Sequence, residues 1–95
     1  MAANPFDDQS KDTIKRLFEG NPITAGAAER MLRQLGAKLK KKRGKGSHRR
    51  WVLPNGMKAT IPGKASSDLK YDVCKSLKKQ LIANNVTEDG GIKDD

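Results

Sequence analysis

At Gly36 the spacing of apolar residues changes from a helical repeat to strict alternation, and near Asp68 it changes back. A chain that runs through a period of 3.6, then 2, then 3.6 again buries one face of every element by laying helices on one side of a small antiparallel sheet. Upstream of the switch, Ala28, Met31, Leu32 and Leu35 recur at i, i+3, i+4 and i+7, while Glu29, Arg30, Arg33 and Gln34 take the other face. Thr24 suits the N-cap of that helix, Ile23 before it can act as a hydrophobic staple on Ala28, and Gly36 ends it. Downstream, Ala37 and Leu39 alternate with Lys38 and Lys40 as a first strand. A second strand over 47–53 sends Ser47, Arg49, Trp51 and Leu53 one way and His48, Arg50 and Val52 the other. Pro54-Asn55-Gly56 reads as a tight hairpin turn, with Asn-Gly supplying positive φ. A third strand over 57–61 then puts Met57, Ala59 and Ile61 on one face and Lys58 and Thr60 on the other, and Pro62-Gly63 stops it.

The flanks add two helices. Ile14, Leu17 and Phe18 fall on one face of a short helix over 10–18, with Ser10 as its cap and Gly20 as its stop. Residues 1–9 carry no apolar period and are expected to fray. Beyond a polar connection, with Ser67 or Asp68 as cap, Val73, Leu77 and Leu81 line a last helix with Cys74 beside them and Lys75, Lys78 and Lys79 outside. From Val86 the chain has neither period nor apolar mass, which predicts a disordered tail. The expectation is an N-terminal extension with a short helix over 1–22, a domain over 23–85 and a tail over 86–95. The fold class is α+β, two-layer, with a three-stranded antiparallel sheet and helices on one face in the order α-β-β-β-α, plus the extra N-terminal helix. Double-stranded-RNA-binding domains share that order.

Charge narrows the partners. The 95 residues carry 20 Lys and Arg against 11 Asp and Glu, a net charge of +9. No acidic residue lies between Glu29 and Asp68, an interval that holds Lys38, Lys40, Lys41, Lys42, Arg43, Lys45, Arg49, Arg50 and Lys58. Nucleic acid is the first candidate for such a one-signed surface. The single cysteine cannot form an internal disulfide, and one Cys with one His leaves no zinc set, so no metal is expected. With 35% hydrophobic and 4% aromatic residues the core is too modest to enclose another cofactor. No apolar run spans a membrane and no signal peptide opens the chain, which points to the cytoplasm.

The segment Lys45-Gly46-Ser47-His48-Arg49-Arg50-Trp51 holds the only histidine and the only tryptophan, directly after Lys40, Lys41, Lys42 and Arg43. An imidazole amid cations is what acid-base chemistry on a polyanion requires. Trp51 reads first as a core residue and second as a platform for a base. The run from Lys40 to Arg43 reads equally as a solvated face and as a phosphate contact.

Leu35-Gly36, Gly46-Ser47-His48, Pro54-Asn55-Gly56, Thr60-Ile61-Pro62 and Leu69-Lys70, in this order and at these spacings, resemble the HicA toxin family from residue 24 to about 83. The resemblance implies a double-stranded-RNA-binding-domain-like fold, a toxin of a type II toxin-antitoxin system, and a small endoribonuclease, an mRNA interferase, that cuts mRNA without a metal. It also implies a HicB-like antitoxin as partner, and its catalytic histidine falls on His48. Family members often carry a second histidine where this chain has Arg49, and the helix over 10–18 lies outside the usual pattern.

Metal-free cleavage of RNA uses the 2′-hydroxyl as nucleophile, so one group must take its proton, another must protonate the leaving 5′-oxygen, and cations must stabilise the charge on phosphorus. His48 is the expected general base or acid. Lys40, Lys41, Lys42, Arg43, Lys45, Ser47, Arg49 and Arg50 are the expected RNA contacts, and Gly44 and Gly46 let backbone amides approach a phosphate. Water, a lysine or Tyr71 would supply the other proton step. A noncatalytic double-stranded-RNA-binding module of the same fold is the alternative, and a basic face for an acidic protein partner is the third.

Overall fold

The computed structural model describes residues 4–40 and 48–93. Their order is α1 (Asp8–Glu19), α2 (Ala25–Leu35), β1 (Lys38–Leu39), β2 (Arg49–Val52), β3 (Lys58–Ile61) and α3 (Tyr71–Ala83). The strands form one antiparallel sheet in the order β1-β2-β3. Lys38 pairs with Val52 and Leu39 with Trp51, while Arg49, Arg50, Trp51 and Val52 face Ile61, Thr60, Ala59 and Lys58. Helices α2 and α3 pack on the sheet, and α1 packs on α2 and α3. The α+β class and the extra N-terminal helix are therefore as the periodicity implies.

The period of 2 sets the faces. Trp51, Leu53, Ala59 and Ile61 are buried with Ala28, Met31 and Leu32 of α2 and Leu77 and Leu81 of α3. Leu39 shares their side of the sheet but lies on an edge strand, and it is half exposed. At the switch point Gly36 adopts φ 104°, a conformation that favours glycine, and the Ala37 N–H donates back to the Leu32 carbonyl at 2.9 Å. The hairpin turn differs from the expectation of positive φ at both Asn55 and Gly56. Only Gly56 takes positive φ, the Gly56 N–H donates to the Leu53 carbonyl at 2.8 Å, and the Leu53 N–H donates to the Met57 carbonyl at 2.7 Å. This is a three-residue loop with a left-handed glycine at its end.

Two caps fall elsewhere than the sequence predicts. Asp7, not Ser10, caps α1, accepting the Ser10 N–H at 2.8 Å, and Ser10 itself is buried inside the helix. Asp7 also accepts from Arg30 and, at 2.9 Å, from the Gln34 side chain, so one carboxylate ties the start of α1 to α2. Phe6 is buried, and the expected fraying does not reach it. The Arg30 guanidinium first, then the Gln34 amide and the Ser10 N–H, hold the Asp7 carboxyl far below the usual carboxylate range. A depressed folded-state pKa contributes stability that is present above the unfolded value and lost as pH falls towards the folded one. Asp7→Asn keeps a good cap and removes the charge. The variant is expected to melt below the wild type at pH 7, with the gap closing as pH drops through and below about 3.9, the ordinary aspartate value; thermal melts at stepped pH check this.

At α3 the N-cap is Lys70, with no side-chain cap bond. Ser67 and Asp68 serve α2 instead. The Ala25 N–H donates to the Ser67 carbonyl and the Gly26 N–H to that of Ala65, both at 2.9 Å, and Thr24 bridges to Asp68. The connection thus satisfies orphan donors at the start of α2.

Residues 86–93 hold a defined conformation, in contrast to the disordered tail expected from composition. Val86 bridges to Ile92, the Thr87 N–H donates to the Gly91 carbonyl at 2.8 Å, and Gly90 lies against Lys11 of α1. Val86 is 4% exposed. Gly90 meets Lys11 across a long stretch of sequence, a contact that a local period cannot register. Val86→Ala is expected to cost about 2 kcal/mol, by analogy with other large-to-small core changes, read as a lower urea midpoint at unchanged slope.

Candidate functional site

Strand β2 carries the site. His48 immediately precedes it and is exposed, and the strand then alternates between an inward pair, Arg49 and Trp51, and an outward pair, Arg50 and Val52. Arg50 is exposed on the open face, and its carbonyl accepts the Lys40 N–H at 2.8 Å. This bond sets Lys40, also exposed, beside Arg50 at the end of β1. On the same face lie Lys38, Lys58 and Thr60, all exposed.

The inward pair does something else. Glu29 of α2 accepts Arg49 Nε through both carboxylate oxygens at 2.8 Å, and its Oε2 also accepts the Trp51 indole N–H at 2.9 Å. The Glu29 and Arg49 side chains are 14% and 23% exposed. Arg33 stacks over the Trp51 ring, its guanidinium carbon 5.6 Å from the centroid. Trp51 is 2% exposed, a core residue as the first reading has it, with no face left for a base. Arg49 is held in the helix-sheet interface beside a carboxylate, so of the two adjacent arginines Arg50 is the one on the open face.

Lys41, Lys42, Arg43, Gly44, Lys45, Gly46 and Ser47 lie outside the described residues. Tyr71 is 72% exposed, but it opens α3 in the helical layer, in a groove with Phe18 and Ile82. Glu29 escapes a reading built on cations. Its signal in the sequence is its place as the last carboxylate before the acid-free interval. Among the described residues no three His, Cys, Asp or Glu side chains gather so as to hold a metal ion, and no helix is long and apolar enough to cross a membrane.

The fold and the site together define a small α+β domain that presents an exposed histidine and a cationic sheet face. The HicA toxin family model, described as the HicA toxin of bacterial toxin-antitoxin systems, matches residues 27–82, more than half of the chain. The chain belongs to the HicA toxin family. Membership carries a toxin role, a nuclease-like activity in general terms, and an antitoxin as partner. No curated protein and no solved structure matches the chain. Helix α1 and the segment over 86–93 lie outside the matched region and pack together through Lys11 and Gly90.

Proposed function

We propose that this toxin is a metal-independent endoribonuclease that cleaves messenger RNA in the cytoplasm, with His48 as general base or acid, and that a HicB-like antitoxin restrains it. The observation that carries the reading is an exposed, solitary imidazole at the head of a cation-bearing strand, within a domain of a toxin family. In the reaction the 2′-oxygen forms a bond to the adjacent phosphorus as the bond to the 5′-oxygen breaks. One proton leaves the 2′-hydroxyl and one arrives at the departing oxygen. Imidazole serves either transfer near neutral pH.

Cations that face the phosphate stabilise the charge that builds on it. Arg50 and Lys40 fit this task among the described residues because both are exposed on the side of the sheet away from the helices. Lys41, Lys42, Arg43, Lys45 and Ser47 are proposed to extend the contact, and Arg49 to act mainly through its hold on Glu29. An antitoxin that silences the toxin must cover His48 and the cationic face, for which an acidic surface is suited.

The test is induced expression of the wild type and of His48→Ala, with growth and total messenger RNA followed in each culture. Growth arrest with messenger loss in the wild type alone supports the reading. Equal behaviour of two soluble proteins would leave a noncatalytic double-stranded-RNA-binding module as the better description.

A further inference from the structure

We propose that the open face of the sheet is the track on which single-stranded RNA lies as it passes His48, with Lys38 of β1 and Lys58 of β3 as its phosphate contacts beyond the site. The proposal rests on the reading of this protein as a ribonuclease and names where its substrate runs.

Register places these residues. Lys38, Val52 and Lys58 stand side by side across the three strands, and Arg50 and Thr60 form the next row, with Lys40 beside Arg50. Neighbouring strands are about 4.8 Å apart and alternate residues of one strand about 7 Å apart, so Lys38 and Lys58 flank the column that leads through Arg50 towards His48. All four cations on the face, Lys38, Lys40, Arg50 and Lys58, are exposed, and the face has no carboxylate among the described residues. The described acids lie in the helical layer and its flanks: Asp7 at the cap of α1, Asp8, Asp12 and Glu19 on it, Glu29 on α2, Asp68 before α3, Asp72 on it, and Glu88 and Asp89 beyond it. Asp72 lines the groove between α3 and the β3 edge, together with Lys58 and Thr60. The helical layer thus mixes both signs, whereas the described charges of the open face are all positive, and a polyanion is drawn to the sheet side.

The shape of the face and the chemistry of the reaction choose the form of RNA. Attack by the 2′-oxygen needs that oxygen, phosphorus and the 5′-oxygen in line, which a stacked A-form strand prevents. An unpaired strand can splay its nucleotides into that geometry. The face offers side-chain cations, the Thr60 hydroxyl and Val52, and no aromatic ring among the described residues, because Trp51 is turned inward. Binding there is electrostatic, with little discrimination among bases.

The experiment measures binding to a 2′-O-methyl single strand of about twelve nucleotides, which cannot be cleaved, and to the duplex of the same sequence. Proteins compared are the wild type, Lys38→Ala/Lys58→Ala, and the charge-matched control Lys75→Ala/Lys79→Ala on α3. The first double variant is expected to bind the single strand about tenfold more weakly at about 0.1 M salt, with the log-log salt slope reduced by about 1.4, the value for two lost phosphate contacts. The control should stay within about twofold of the wild type. Equal losses in the two double variants, no loss in the first, or tighter binding of the duplex than of the single strand would overturn the track. If the track variant binds normally while His48→Ala no longer cleaves, the track alone fails. If the wild type neither binds nor cuts RNA, the ribonuclease reading falls with it.

Discussion

His48→Ala is expected to lower the rate of RNA cleavage by about 10²- to 10⁴-fold, the usual worth of a positioned acid-base group, with melting temperature and RNA affinity unchanged. Exposure is the reason the two readouts separate. A side chain outside the core leaves no cavity when truncated, and surface substitutions of this kind rarely move stability by more than about 0.5 kcal/mol. The chain contains no second imidazole that could take over. Initial rates on an end-labelled RNA, beside a thermal melt of the same preparation, check the point. A rate within a few-fold of the wild type would show that His48 moves no proton in the slow step, and a lowered melting temperature would assign it a structural role.

Glu29→Ala is expected to produce the largest loss of stability of any surface-layer substitution, about 3 kcal/mol. Removing one member of a buried ion pair leaves its partner desolvated and unpaired, which costs about 3–5 kcal/mol where burial is full. Here the pair is partly exposed, so the lower end applies, although Trp51 loses its hydrogen-bond acceptor in the same step. Glu29→Gln keeps an oxygen for the indole and should recover part of the loss. Urea unfolding of both variants, with Arg49→Ala and the Glu29→Ala/Arg49→Ala double variant, closes a cycle. The double variant should cost less than the sum of the two single changes. Strict additivity would mean that Glu29 and Arg49 stabilise the fold independently.

The architecture was legible where neighbouring residues decide it. The change of period at Gly36 marks the passage from helix to sheet, and alternation alone assigns Trp51, Ala59 and Ile61 to the core and Lys38, Arg50 and Lys58 to the open face. Caps were less legible because several residues near a helix start compete for one role. Asp7 wins over Ser10 at α1 because it also meets Arg30 and Gln34, contacts that exist only once α2 is in place. Ser67 and Asp68 sit beside the start of α2, far away in sequence, and leave α3 with Lys70. The segment over 86–93 is hidden for a related reason, since Gly90 meets Lys11 only once the chain has folded. Among site residues, the alternation already set Arg49 and Arg50 on opposite faces. What it could not give was the carboxylate waiting for Arg49 on α2.

The burial of Trp51 also gives the protein a built-in optical reporter. It is the chain's only tryptophan, lodged between Glu29 and Arg33 on the side of the sheet that faces α2. Its emission therefore senses whether the helices are seated on the sheet, and should shift to the red when they part. RNA bound on the other side would leave that light unchanged, so folding and binding can be followed in one cuvette through separate signals.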